Sequence, residues 1–150
     1  MKEADPRMHT AEHLLSGTLV AMFGMDRPFT THIEKKKSKA DYRFGRTLTE
    51  AEARAVEARV NELIAADLTV TEEFLPIEEA VAAFDLSRLP EGSGDRVRIV
   101  RCGTADACPC IGPHVTSTRM CGTFRLISWG HENGALRVRF RLDDGPAGDS

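Results

Sequence analysis

Two short segments about a hundred residues apart constrain this chain more than anything else in it: His9-Thr10-Ala11-Glu12-His13 and Cys110-Ile111-Gly112-Pro113-His114. Each holds two metal-ligating residue types four positions apart. On a helix, positions i and i+4 share a face, so His9 and His13 can address one ion. Cys110 and His114, on a turn or at the start of a helix, could complete the shell. Three imidazoles and one thiolate suit Zn2+, which is borderline-soft, redox-silent and tetrahedral.

Taken alone, each half has a plainer explanation. A bare HxxxH can be two amphipathic side chains on a partly buried helix, and a lone Cys110 is often a small buried hydrophobe. Both pairs in one short chain favour the metal site. The HExxH pattern does not apply: Glu12 precedes the second histidine, is expected to leave the helix on a different side, and is no metalloprotease base. A rival site built from Cys102, Cys108, Cys110 and Cys121 ranks lower, because its spacings contain no CxxC pair.

Composition sets the outer limits. With 150 residues, 41% apolar and 29% charged, the chain reads as one soluble domain. The expected division is a single domain over 1–143 and a polar tail over 144–150. No apolar run reaches the roughly 18 residues of a membrane span, so no membrane partner is expected. Met1-Lys2-Glu3-Ala4-Asp5 has acidic residues and no apolar core, unlike a secretory signal. The expectation is a cytoplasmic protein whose cysteines do not form a disulfide framework. A net charge of −3 argues against extended, non-specific nucleic-acid binding, DNA included, but leaves room for a local basic patch.

Along the chain, Asp5-Pro6 reads as the cap and first position of a helix running to about Phe23 and ending at Gly24. Leu14, Leu15, Leu19, Val20, Met22 and Phe23 make it apolar around most of its girth, as for a central helix. Thr30 to Lys36 and Lys39 to Phe44 read as strands across a Lys37-Ser38 turn. Lys35, Lys36, Lys37 and Lys39 form a basic cluster there, either a phosphate contact or a solvated hairpin tip. Thr49 to Glu52 is a capping box opening a second helix through about Ala66, with Val56, Val60, Leu63 and Ile64 as its apolar stripe. Thr69 to Leu75 reads as a strand, Pro76 to Phe84 as a short helix with Pro in its first turn, and Leu86 to Gly94 as loop. Arg96 to Cys102 is a strand with one basic face, and Gly103 to Pro109 a loop leading into the Cys110 segment. Thr123 to Trp129 and Ala135 to Leu142 form a hairpin around Asn133-Gly134. Arg137, Arg139 and Arg141 share one face of its second strand. The order α-ββ-α-β-α-β-ββ predicts an α+β fold, an antiparallel sheet folded around the first helix.

These residues carry a family likeness. His-Thr-Ala-Glu-His-Leu-Leu at 9–15 resembles the HxxxH segment of the editing domain shared by alanyl- and threonyl-tRNA synthetases and by freestanding AlaX-type alanyl-tRNA editing proteins. Cys-Ile-Gly-Pro-His-Val at 110–115 resembles that family's second motif. Val60-Asn61-Glu62-Leu63-Ile64 with Leu68-Thr69-Val70-Thr71 is similar to the alanyl branch, and Gly94 to Val100 to the strand leading into its cysteine motif. The likeness covers roughly Met8 to Leu142. It implies a long central helix packed in curved antiparallel sheet, and hydrolysis of the ester joining a wrong amino acid to the acceptor end of tRNA. With no catalytic core or anticodon domain in 150 residues, it implies a freestanding editor. The chain departs from the alanyl pattern Cys-Gly-Gly-Thr-His at Ile111 and Pro113, where it leans threonyl. Cys108 stands where the threonyl-type domain places an aspartate.

An aminoacyl ester needs an electrophile at its carbonyl and an activated water, and Zn2+ can serve either need. Four protein ligands describe a closed site, whereas catalysis needs an open position. Either one ligand is loose, with His114 the candidate, or the ion expands its shell. Editing is needed because a small apolar pocket rejects serine or glycine poorly in favour of alanine. The resemblance places Thr30 and Thr31 near the amino acid, and Thr30 is the expected reader of a serine hydroxyl. The expected substrate is Ser-tRNA(Ala), with Gly-tRNA(Ala) and Ser-tRNA(Thr) as alternatives. A non-catalytic, zinc-stabilised tRNA- or partner-binding module and a hydrolase of small esters are the other readings.

Overall fold

The computed structural model describes residues 5–84 and 95–143. The expected loop from Leu86 to Gly94 and the polar tail after Asp143 lie outside the described residues.

Helix α1 (Pro6–Phe23) begins where its sequence dictates. The Asp5 carboxylate accepts from the Met8 amide at 3.0 Å, Pro6 needs no amide donor, and Gly24 closes the helix in the left-handed region at φ 69°. Leu14, Leu15 and Leu19 are wholly buried. Each contributes about 1.5–3 kcal/mol by leaving water. Val20 and Met22, expected in the core, are exposed at the far end. Helix α2 (Glu50–Ala65) carries the predicted capping box, with Thr49 and Glu52 satisfying each other's amides. Its stripe of Ala53, Val56, Val60, Leu63 and Ile64 is buried.

The fold is α+β, with its strands divided between two antiparallel sheets. The larger sheet joins β1 (Thr30–His32), β2 (Ser38–Arg43), β6 (Thr123–Glu132) and β7 (Ala135–Asp143) in the order β1-β2-β7-β6. Its inner face (Ala40, Tyr42, Phe124, Leu126, Leu136, Val138, Phe140) meets α1 and α2 in the main core. The outer edge of β6 does not face water unpaired. Asn61 bridges both backbone groups of Phe124, and the Glu57 carboxylate accepts the Leu126 amide, which blunts an edge that could pair with another chain. Asn133 and Gly134 take positive φ values of 53° and 78°, as a two-residue hairpin turn requires.

The smaller sheet orders β3 (Val70–Pro76), β4 (Arg96–Cys102) and β5 (Asp106–Pro109) as β3-β4-β5, with α3 (Ile77–Ala83) covering Val97 and Ile99. Strand β5 corrects the reading of Gly103–Pro109 as loop. No periodicity marks it; pairing of Val100 with Cys108 and Cys102 with Asp106 makes it a strand. Pro109 is tolerated at its end, on an edge. Pro76 ends β3 and caps α3, which starts one residue later than expected. β1 stops at His32 instead of Lys36, because the Ser38 hydroxyl takes both backbone groups of Glu34 and closes the connection locally.

Candidate metal centre

Helix α1 and the segment after β5 meet at one point. His9, His13, Cys110 and His114 converge there, their ligand atoms all within 4.8 Å of one another. Cys110 Sγ lies 3.3 Å from His9 Nε2 and 3.4 Å from His114 Nε2. Zinc bonds of about 2.0–2.1 Å to nitrogen and 2.3 Å to sulfur give tetrahedral edges of roughly 3.3–3.6 Å. The donor set therefore suits a metal ion in chemistry and spacing.

Each imidazole is aimed by its far nitrogen. His9 Nδ1 donates to the Pro113 carbonyl at 3.1 Å, which leaves Nε2 for an ion. His114 Nδ1 pairs with Thr10 Oγ1 at 2.9 Å, and the same oxygen accepts the Val115 amide. His13 Nδ1 faces Asp106 at 3.4 Å and Cys108 Sγ at 3.4 Å. Asp106 is itself gripped by the two guanidinium nitrogens of Arg27, at 2.7 and 3.3 Å. Gly17 on α1 makes room for this carboxylate: a Cβ there would lie 2.8 Å from Asp106 Oδ1. The Cys110 segment is held by Arg98 of β4, which donates to the carbonyls of Cys110 at 3.1 Å and Gly112 at 2.7 Å.

The electrostatics of Cys110 and His114 favour ligation, whereas His13 holds a proton that an ion would have to displace. Burial pushes the Cys110 thiol up, but hydrogen bonds from His114, His13 and His9 outweigh it and bring it down to about 3. It is thus a thiolate at neutral pH, as metal binding requires. Burial drives His114 below its ordinary value, toward the neutral ring a metal needs. Burial also opposes the charged form of His13, but Asp106 and the neighbouring thiols overcome it and raise its value well above 6.5. Burial works to raise Asp106, yet His13 and Arg27 hold it below the ordinary carboxylate range.

His9 and His13 form one wall of a cleft of about 960 Å3, completed by Arg27, Phe29, Thr31, Arg43, Cys108 and Ile111 among others. At its rim the Arg43 guanidinium sits 4.6 Å from the Phe29 ring centroid.

The four expected ligands are thus brought together. The all-cysteine alternative is not: Cys102 and Cys121 are wholly buried in the main core, outside the convergent group. His114, the candidate loose ligand, is anchored through Thr10. Thr30 is not among the cleft-lining residues; Thr31 is. The cause is strand alternation. Thr30 pairs with Asp41, and Asp41 with Arg137, on the outer sheet face, whereas Thr31 pairs with buried Ala40 on the inner face. Lys35, Lys36 and Lys37 are exposed in the β1–β2 connection, outside the cleft, and Lys39 sits on the outer face opposite Arg139. Arg137 on that face is paired bidentately with Asp41, and Arg141 with Asp143. Glu12 lines the cleft beside both histidines, which corrects its placement on another side of the helix. Positions i and i+3 share a face as i and i+4 do. The Arg27–Asp106 pair, the Arg98 clamp and the Thr10 anchor had no sequence signal strong enough to single them out.

Fold and site together define an α+β domain whose His/Cys cluster, a possible metal-binding group, lies against a substrate-sized cleft. The chain matches the family described as "Threonyl and Alanyl tRNA synthetase second additional domain" over residues 97–140. It is 36% identical over 143 residues to the alanine–tRNA ligase of Treponema denticola, covering 90% of this chain and 23% of that one. It is 34% identical over 146 residues to that of Leptospira borgpetersenii strain JB197, covering 93% and 15%. With the ligase of Prochlorococcus marinus strain NATL2A the identity is 33% over 134 residues, covering 87% and 15%. These matches support an AlaX-like protein of the alanyl/threonyl-tRNA synthetase editing-domain kind. It spans less than a quarter of the length of the ligases it matches.

Proposed function

We propose that this protein is a zinc-dependent deacylase of mischarged tRNA, acting in the cytoplasm on the acceptor end, with Ser-tRNA(Ala) its preferred substrate and Gly-tRNA(Ala) a second. The observation that carries the reading is the cluster of His9, His13, Cys110 and His114 opening onto the cleft. When bound there, zinc supplies Lewis acidity toward the ester carbonyl. The chain's own residues do the rest. Pro113, Thr10 and Asp106 fix the imidazoles, the cleft holds the aminoacyl group, and its walls exclude bulk water. Water adds to the carbonyl carbon, and the bond to the ribose oxygen breaks. That oxygen keeps the electron pair and a proton, and the amino acid leaves as its carboxylate with release of one proton.

Thr31, on the cleft-facing side of β1, takes the serine-reading role expected of Thr30. A neutral hydrogen bond of this kind is worth about 0.5–1.5 kcal/mol. Thr31→Val should therefore lower kcat/KM for Ser-tRNA(Ala) by roughly two- to tenfold while sparing Gly-tRNA(Ala). Thr30→Val should change neither. If only Thr30→Val is selective, Thr30 is the reader. The exposed lysines 35–37 with Lys39 are the proposed phosphate contacts of the tRNA.

The test of the function is a deacylation panel with zinc-loaded protein: Ser-tRNA(Ala), Gly-tRNA(Ala), Ser-tRNA(Thr) and correctly charged controls. Turnover confined to Ser-tRNA(Thr) would make the Gly112-Pro113-His114 segment the better guide to the branch. Salt-sensitive tRNA binding without turnover would make the protein a zinc-stabilised binding module.

A further inference from the structure

Glu12 is a buried acid that the ligand set does not use. It is 5% exposed, lines the cleft with His9 and His13, and is not one of the four convergent ligands. Its single hydrogen-bond partner among the described residues is the Ser16 hydroxyl, which donates to Oε2. Ser16 Oγ in turn lies 2.8 Å from the Tyr42 hydroxyl. With the Ser16 proton committed to Glu12, Tyr42 is the donor in that second bond. Two hydroxyls in series therefore lead to the carboxylate.

Among the described residues, no lysine, arginine or histidine nitrogen lies within ion-pair distance of Glu12. The Arg27 guanidinium feels the Glu12 charge at longer range, but its hydrogen bonds are committed to Asp106. One neutral hydroxyl does not repay the desolvation of an ionised carboxylate. Among the described residues no cationic side chain pairs with it directly. Beyond a metal ion on the neighbouring histidines, the direct partner left open to it is a cationic group of a ligand in the cleft.

We infer that Glu12 is the subsite for the free α-ammonium group of the aminoacyl ester, and that the cleft thereby discriminates against N-acylated esters such as peptidyl- or formyl-aminoacyl-tRNA. The inference rests on the deacylase reading for its substrate. The geometry supports it. In an aminoacyl ester, the α-nitrogen is separated from the carbonyl carbon by a single carbon. A carbonyl presented to the His9/His13 cluster thus places the ammonium within reach of the side chain one helical turn from His9, whose Cβ is about 5–6 Å away. N-acylation removes the charge and adds bulk at the same atom, so an acylated ester would leave the buried carboxylate unpaired.

The competing role for Glu12 is general base toward water, which acts on every ester alike. Binding separates the two without needing turnover. The ligands are non-hydrolysable 3′-seryl-amide analogues of the acceptor-end adenosine, with the α-amine free or acetylated. Zinc-loaded wild type and Glu12→Gln are titrated with both by calorimetry. The wild type should bind the free amine about thirtyfold or more tightly than the acetylated form, as for loss of a buried charge pair. Glu12→Gln should lose most of that preference, with affinity for the acetylated form nearly unchanged. Seryl- and N-acetyl-seryl-tRNA(Ala) should repeat the pattern in turnover, with the loss mainly in KM.

Zinc content and thermal midpoint of Glu12→Gln are measured alongside. Should that variant misfold, the wild-type preference decides alone. A wild type that binds both analogues equally, or neither, overturns the inference, as does a Glu12→Gln that keeps the preference. An equal fall in kcat on both esters, with unchanged binding, assigns Glu12 to the water instead. A wild type that prefers the free-amine analogue but hydrolyses no ester would sink the deacylase reading while leaving the ammonium subsite intact.

Discussion

Gly112→Ala is a one-methyl perturbation that should disable the metal centre. A Cβ at Gly112 would overlap His9 Cε1 and come within 2.5 Å of His9 Nδ1. Gly112 is not at positive φ, so the backbone accepts alanine and the conflict is purely steric. Backbone movement is resisted, because Arg98 holds the carbonyls of Cys110 and Gly112. His9 is the group that yields. Turning its ring breaks the 3.1 Å bond to Pro113, worth about 0.5–1.5 kcal/mol. It also forces an off-rotamer side chain, at about 0.5–1.5 kcal/mol. Restoring the ligand geometry against both costs about 1–3 kcal/mol, a fivefold to hundredfold loss of zinc affinity. The assay is competition with a chromophoric chelator at fixed pH. Gly45→Ala is the control, since nothing lies within 4 Å of its added Cβ. A Gly112→Ala protein with wild-type affinity and an unchanged thermal midpoint would refute the reasoning, because it would show that His9 is not held against Gly112.

Asp106→Asn removes the charge that faces His13 Nδ1 and leaves Arg27 without its carboxylate; zinc affinity should fall about ten- to a hundredfold, measured by the same competition. Hydrogen bonding to Arg137 is the main reason Asp41 is held below its ordinary pKa of 3.8. That pair contributes fully above pH 3.8 and is lost as pH falls through the lowered value, so Asp41→Asn should flatten the acid limb of stability in urea melts from pH 2 to 5. With Arg137 44% exposed, the cost near pH 7 should be about 1 kcal/mol or less. Reversing Lys35 and Lys36 to Glu should weaken tRNA binding and reduce the slope of log affinity against log salt; an unchanged slope would mark the β1–β2 connection as a solvated tip.

How much of this was legible in the sequence depends on the range over which each signal acts. The caps of α1 and α2 and the Asn133-Gly134 turn are local chemistry, and they stand where the residues put them. The convergence of the four candidate ligands was legible because two i,i+4 pairs carry their own geometry. Strand β5 was not, because Asp106–Pro109 has no alternation and becomes a strand only through its β4 partner. The division into two sheets was also hidden, since pairing between β2 and β7 joins residues about a hundred positions apart.

The remaining differences at the site are differences of phase, and phase is what isolated residues do not carry. On β1 a shift of one residue moves a side chain from the cleft to the outer face, so choosing between Thr30 and Thr31 needed the pairing of Thr31 with buried Ala40. On α1 the i+3 neighbour of His9 shares its face, and Glu12 could have been assigned to the cleft from that spacing alone. Spacing would not have revealed that no described cationic side chain pairs with it directly, because that depends on where Arg27 turns. Arg27 turns to Asp106, a residue delivered by the strand that had no sequence signature. The same long-range pairing that hid β5 therefore also hid the counter-charge problem at Glu12. Arg27 already acts on Glu12 at longer range, and Asp106 fixes where its guanidinium sits, so the charge around Glu12 depends on β5 as well as on α1.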